Sequence, residues 1–186
     1  MDYLDLYYQH RIDKTVPNKM KPTIKDLMQE GKIKYLGLSE ASIETTKKAQ
    51  QPVTTLQSKY SLFYRKLEKE IIPKLEELEI CLVPLSPLDI FLTGTINENT
   101  QFDTSDFRNQ IPRVSAKNRS KNLVFIYFLK KIANERNAPP AQIVLAWLLA
   151  QKNVVPIPEI TKLSCFKENI EATSLIKLNS NFKPNK

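Results

Sequence analysis

The chain holds one histidine, His10, at the end of a dense aromatic run, Tyr3-Leu4-Asp5-Leu6-Tyr7-Tyr8-Gln9. A short apolar run cut off by a polar tip is how a buried parallel strand reads. An imidazole there can accept, donate or relay a proton near neutral pH, since its ordinary pKa is ~6.5. Three further strand-like runs end in the same way: Ile33 to Leu38 on Ser39 and Glu40, Thr54 to Ser58 with Gln57 near its tip, and Ile80 to Leu85 on Ser86. In parallel α/β proteins the chemistry gathers at the carboxyl ends of strands. The structural alternative stands beside each reading. A lone histidine among aromatics is commonly a packed, hydrogen-bonded residue, and a strand-tip serine or glutamine commonly satisfies a neighbouring loop.

The elements that must position these tips follow from periodicity. After the first strand, a polar loop from Arg11 to Asn18 leads to a short helix with Thr23 as N-cap, Asp26 completing a capping box, and Ile24, Leu27 and Met28 facing inward. Gly31 ends that helix as its C′ glycine. Ser42 caps a helix from Ile43 to Gln50, and Leu67 to Glu79 is helical, with Pro73 marking a kink or a late start. Residues 88–120 read as a long polar, irregular connection, a kind of segment that usually carries function or lacks order. Helices follow over Asn122 to Asn137 and from Pro139-Pro140 onward, then a last strand, Val154 to Ile157, and a helix capped by Ser164 running through Ala172. Strands alternating with helices imply a parallel sheet with right-handed crossovers, hence an α/β fold. The expected layout is one domain over residues 1–178 and a disordered tail over 179–186.

Bulk properties narrow the class. Residues of the hydrophobic set make up 41% and charged residues 26%, which fits a globular domain with a real core. No apolar run approaches the ~18–20 residues that span a bilayer, and Asp2 and Asp5 argue against a secretory leader. Cys81 and Cys165 are far apart without metal-type spacing and read as reduced thiols. These features predict a cytoplasmic protein with no membrane partner and no metal. The net charge of +8 would suit a polyanion, but the lysines alternate with Glu and Asp at helical spacing, as on solvated helix faces. No basic-aromatic interleaving appears, so no nucleic-acid partner is expected.

Several segments, in order along nearly the whole chain, resemble the aldo-keto reductase family. They are Asp5-Leu6-Tyr7-Tyr8-Gln9-His10-Arg11, Gly31 to Glu40, Leu56 to Leu62, Ser86-Pro87-Leu88, Pro140 to Trp147, and Val155-Pro156-Ile157-Pro158. The YYQHR and GLSEAS runs are similar to those of the plant, fungal and bacterial branch. The resemblance implies a (β/α)8 TIM barrel of which this chain carries a part, roughly strands four to eight. It also implies NADPH-dependent reduction of aldehydes and ketones, in which a tyrosine gives a proton to the carbonyl oxygen while the nicotinamide supplies hydride.

Residue by residue, the resemblance assigns His10 to the catalytic histidine that orients the carbonyl. Ser39 and Gln57 match positions that hydrogen-bond the nicotinamide carboxamide, and Glu40 stands where many members have Asn. Ser86 and Leu88 match residues near the pyrophosphate. Thr161 and Lys162 correspond to the 2′-phosphate site, and Glu168 and Asn169 to an adenine-side pair on the last helix. The family's catalytic Asp, Tyr and Lys belong to its first three βα units, which have no counterpart among these 186 residues.

Other positions depart from the family's pattern. Leu85 replaces a stacking tyrosine, Asp89 follows Leu88 where a glycine is usual, and Glu159 follows Pro158 where another glycine is usual. Both carboxylates would stand near phosphate, which is electrostatically unfavourable. The expectation is therefore a reductase-type chain with impaired or absent activity by itself and weakened NADP(H) binding. The rival is a non-catalytic half-barrel that binds a partner. Five strands cannot close a barrel, so open sheet edges are expected to favour self-association or a partner chain.

Overall fold

The computed structural model describes residues 2–11, 20–49, 52–89, 91–97, 99–111 and 115–176. The chain divides into two compact units, Met1–Pro87 with Gln151–Ile157, and Leu88–Ala150 with Pro158–Lys186. The first is an α/β unit. Its strands β1 (Leu4–Gln9), β2 (Ile33–Ser39), β3 (Val53–Lys59) and β4 (Cys81–Leu85) lie side by side in sequence order, all parallel. Helices α1 (Met20–Gln29), α2 (Ile43–Lys48) and α3 (Ile71–Glu77) make the connections, as the alternation predicts.

Local chemistry explains the boundaries. Ser42 accepts the Thr45 N–H at 3.1 Å and caps α2, while Lys48 reaches back to Glu44 one turn earlier. Gly31 takes φ +71 and turns the chain into β2, with the Lys32 N–H bonded to the Leu27 carbonyl at 2.9 Å. Helix α1 begins at Met20, so Thr23 lies inside it rather than at its cap; Pro22 in the first turn suits that start. The Leu67 to Glu79 segment splits into a 3-10 turn, Lys66–Glu68, and α3, with Pro73 in the first turn of the latter. Pro73 marks a late start.

The expected last strand is reduced to two parallel bridges, Val154 to Leu82 and Ile157 to Leu85. The Leu82, Val155 and Ile157 amides all donate across this seam, but Pro84 on β4 has no N–H to give in its turn. One missing donor interrupts the ladder.

The second unit is helical: α4 (Ala116–Glu135), α5 (Pro140–Leu149) and α6 (Leu163–Ile176), preceded by a 3-10 turn at Phe107–Gln110 that Asp106 caps. Helix α4 starts six residues before Asn122, taking in part of what reads in sequence as irregular. Helix α6 starts at Leu163, so Ser164 is a helix residue and not its cap. Helix α5 buries every residue from Ala141 to Leu148, and its Gln142 amide donates to Glu171 on α6 at 3.0 Å. Residues 179–186 lie outside the described residues, as do Asn18 and most of the loop before it. Cys81 and Cys165 are free thiols. Among the described residues no helix is long and apolar enough to cross a membrane.

Register sorts the sheet's side chains into two faces. On one face Leu38, Leu56, Leu82 and Val154 form a continuous paired row, every member buried. On the other, Tyr8, Gly37, Thr55 and Cys81 form the matching row. Here the Tyr8 ring crosses over Gly37, and Thr55 donates to its hydroxyl at 2.8 Å. A Cβ at Gly37 would meet Tyr8 Cε1 at 2.3 Å and Thr55 Oγ1 at 2.6 Å. Gly37→Ala is therefore expected to destabilise the protein by about 2–3 kcal/mol. An unchanged urea midpoint for that variant would show that the ring does not lie there.

Candidate active site

One step toward the carboxyl ends from the Tyr8 row lies the row that sequence singled out. Ser39 pairs with Gln57 across β2 and β3, and Gln57 pairs with Val83 on β4. His10 follows Gln9, the last β1 residue paired with β2, opposite Leu38. The topology thus brings His10, Ser39 and Gln57 to adjacent strand ends on one rim. Ser39 is buried, Gln57 half-buried and His10 exposed. Ser86 stands just past β4, half-buried.

Three of the seven non-glycine residues with positive φ among the described residues stand at the same rim. Arg11, Glu40 and Ser86, each within two residues of a strand's carboxyl end, hold left-handed conformations at φ 74, 51 and 49. Non-glycine residues adopt this region at a cost, and it recurs at ligand sites. At Glu40 the cause is visible. Its N–H donates to the Gln57 carbonyl at 2.9 Å, and its carboxylate Oε1 accepts from Ser58 Oγ at 3.1 Å and from the Lys59 N–H at 2.9 Å. Glu40 therefore ties the end of β2 to the end of β3 beside the Ser39–Gln57 pair. The position assigned to the cofactor by resemblance has its side chain occupied within the sheet.

Tyr60 directly follows β3; it is buried and donates to Glu68 Oε1 at 2.9 Å. Glu68 is in turn held by Arg65 through two hydrogen bonds. Burial first, and then the Glu68 carboxylate, push the Tyr60 hydroxyl well above its ordinary pKa. A phenol so held is a poor proton donor to a substrate. Burial also raises Tyr8, although the Thr55 hydrogen bond pulls the other way. Sequence reading passed over Lys59. Counting by two from Gln57 puts it on the site face, and its Nζ lies 5.7 Å from the Tyr64 ring, as does that of Lys66.

The remaining assigned residues belong to the helical unit. Leu88 is half-buried. Thr161 and Lys162 are exposed immediately before α6, with the Lys162 carbonyl accepting the Phe166 N–H at 3.1 Å as the helix begins. Glu168 and Asn169 are half-buried on α6 itself. Asp89 holds φ 47, a conformation suited to the glycine that the resemblance expects there.

The sequence profile of the Aldo/keto reductase family matches residues 1–182. The chain belongs to this family. It is 40% identical over 179 residues to "Probable aldo-keto reductase 1" of Glycine max, a match covering 94% of this chain and 52% of that protein. The chain spans about half the length of the curated relatives it matches. Among solved structures it is similar to the glycerol dehydrogenase AKR11B4 of Gluconobacter oxydans, with a TM-score of 0.80 at 24% identity, covering all of this chain and 62% of that one. It also resembles an aldo/keto reductase of Klebsiella pneumoniae in complex with NADP and acetate, with a TM-score of 0.69 at 20% identity, covering 100% of this chain and 61% of that one. These likenesses establish the fold as a partial TIM barrel, as the sequence motifs imply.

Two tests follow from this geometry. Glu40→Ala leaves the Ser58 hydroxyl and Lys59 N–H without their acceptor and is expected to cost about 1–2 kcal/mol by chemical denaturation; no loss would dissociate Glu40 from the rim. Tyr60 has its folded pKa raised above the ordinary 10.0, so its contribution to stability is complete below pH 10 and declines as pH rises past it. The wild-type unfolding free energy should fall more steeply above pH 10 than that of Tyr60→Phe. Parallel curves would place the Tyr60 hydroxyl in water.

Proposed function

We propose that the rim formed by His10, Ser39, Gln57 and Ser86 belongs to an NADPH-dependent reductase of aldehydes and ketones, and that this 186-residue polypeptide by itself has little or no turnover. The observation that carries the reading is the convergence of His10, Ser39 and Gln57 on adjacent carboxyl ends of a parallel sheet, in a chain of this family. A relative of the same fold crystallised with NADP supports the choice of cofactor.

In this reading Ser39 and Gln57 hold the carboxamide of the nicotinamide, which supplies hydride chemistry when bound. The exposed His10 imidazole donates to the carbonyl oxygen of an aldehyde or ketone and orients it. By resemblance Ser86, with its left-handed backbone, and Leu88, in the helical unit, are each assigned to the pyrophosphate. Lys162 and Thr161, at the amino end of α6, suit a 2′-phosphate, since a charged donor and a helix amino terminus both favour an anion. Glu168 and Asn169 on the same helix take the adenine side. Glu40 serves here as a tie that sets the spacing of Ser39 and Gln57.

The donor set fits the cofactor incompletely. The Asp89 and Glu159 carboxylates oppose phosphate, so weakened binding is expected. Proton delivery is the larger deficit, because Tyr60 is committed to Glu68 and the resemblance assigns no other tyrosine to that role. Loss of a positioned acid removes about 10²–10⁴-fold in rate. The reading takes the cytoplasm as the place of action and a small carbonyl compound as the substrate.

Fluorescence titration with NADPH should give saturable but weak binding, and Gln57→Ala should weaken it by about tenfold, or ~1.4 kcal/mol. A flat signal up to millimolar NADPH would remove the cofactor from this reading. Reduction of 4-nitrobenzaldehyde by the purified chain should stay near background. Turnover that His10→Ala abolishes would overturn the claim of inactivity while keeping the reductase assignment.

A further inference from the structure

The helical unit holds a feature that the proposed reductase chemistry does not use. Sequence singles out residues 88–120 as a long polar connection, and such a segment usually either serves a function or lacks order. Its described part is tied down at several points. Asn97 and Thr100 close a turn, in which the Asn97 N–H donates to Thr100 Oγ1 at 2.9 Å and the Asn99 N–H to Asn97 Oδ1 at 2.9 Å. The Arg119 guanidinium, on α4, donates to the Thr100 carbonyl. The Asn109 side-chain amide donates to the Asp103 carbonyl at 2.7 Å. Two guanidinium groups approach the Phe102 ring, that of Arg108 at 4.4 Å and that of Arg119 at 5.8 Å from its centroid.

These ties surround an open cavity of about 500 Å³, lined by Asn99, Thr100, Gln101, Phe102, Asn109 and Arg119. Cavities of about 300–1,000 Å³ accept small molecules. Five of the six lining residues are polar, so the occupant is polar too. Charge narrows it further. Arg119 is the one ionised residue in the lining, and no carboxylate joins it. The nearby acids are engaged locally: Asp103 accepts from the Ser105 N–H and hydroxyl, and Asp106 is paired with Arg108. Among the described residues, the exposed side-chain amides of Asn99 and Gln101 make no hydrogen bond, so each can turn an N–H toward a bound oxygen. A guanidinium flanked by uncommitted amides, with no opposing carboxylate, is a donor set for an oxyanion.

The geometry points to a binding site for a small oxyanion, a carboxylate or a phosphate, with Arg119 as its charged anchor and Asn99 and Gln101 as amide donors. The cavity lies wholly in the helical unit, and none of the residues that the resemblance assigns to the cofactor lines it. The inference depends neither on NADPH binding nor on turnover.

Calorimetric titration of the 186-residue chain with inorganic phosphate and with succinate tests it and tells the two sources of oxyanion apart. Saturable binding of at least one is expected, and none of glycerol, a neutral polyol. Arg119→Gln should abolish saturation. Because Arg119 also holds the Thr100 carbonyl, a second variant is needed that loses no internal bond. Gln101→Glu meets that condition; it sets a carboxylate in the cavity and should weaken binding about tenfold or more, with an unchanged circular dichroism spectrum. Lys131→Gln removes one positive charge about 18 Å further along α4 and should leave the affinity unaltered. The inference is overturned if neither anion saturates, if glycerol binds as well as they do, or if either cavity variant binds like the wild type. It is overturned equally if Lys131→Gln weakens binding as much as Gln101→Glu, which would make bulk charge the cause, or if NADPH displaces the anion, which would give the cavity to the cofactor.

Discussion

The α/β unit depends on one constraint, the pairing register that aligns Leu38, Leu56, Leu82 and Val154 across neighbouring strands. Four buried apolar side chains in one row contribute on the order of 2 kcal/mol each before entropy is counted. Because side chains alternate along a strand, the same register fixes the opposite face. A slip of one residue would bury Ser39, Gln57 and Thr55 on the helix side and expose the leucines. The residues proposed for chemistry are therefore held where they are by residues that touch no substrate.

Gly37 is the point at which the two faces meet. The ladder between β2 and β3 is irregular at Leu36 and Gly37, so the spacing on β3 gains a residue before Thr55 comes opposite Gly37. The absence of a side chain there lets the Tyr8 ring span β2 and reach Thr55. Above it, the Glu40 carboxylate makes a second tie from β2 to β3. Ser39 and Gln57 lie between these two cross-strand links, so their separation is set from both sides. Such bracketing is what a rim needs if two short polar side chains are to act on one planar amide.

Much of this was legible in the sequence because the signals were local. Gly31, Ser42 and the short apolar run from Ile33 to Leu38 that ends on Ser39 each specify their own conformation within a few residues. The start of α4 was hidden because its first turns carry Lys117, Asn118, Arg119, Ser120 and Lys121, which show no apolar stripe. Ser164 was a misleading cap signal, since Leu163 already opens α6. The last strand failed as a strand for a non-local reason, the missing N–H of Pro84 on its neighbour. For the site, the polar tips announced themselves, but the role of Glu40 did not. Its partners Ser58 and Lys59 are eighteen and nineteen residues away, and only register brings them near.

The electrostatics of the rim connect these observations. The Glu40 carboxylate, although exposed, accepts two hydrogen bonds from β3, one from the Ser58 hydroxyl and one from the Lys59 N–H. Glu68 is handled likewise, neutralised by Arg65 and bonded to Tyr60. Both carboxylates are thus engaged by donors of the α/β unit itself. The Lys59 and Lys66 ammonium groups each lie 5.7 Å from the Tyr64 ring, just past β3. Asp89 and Glu159, which stand where the resemblance expects glycines, both belong to the helical unit. The residues that the resemblance assigns are accordingly kept at His10, Ser39 and Gln57, while two departures from it, Asp89 and Glu159, fall in the other unit.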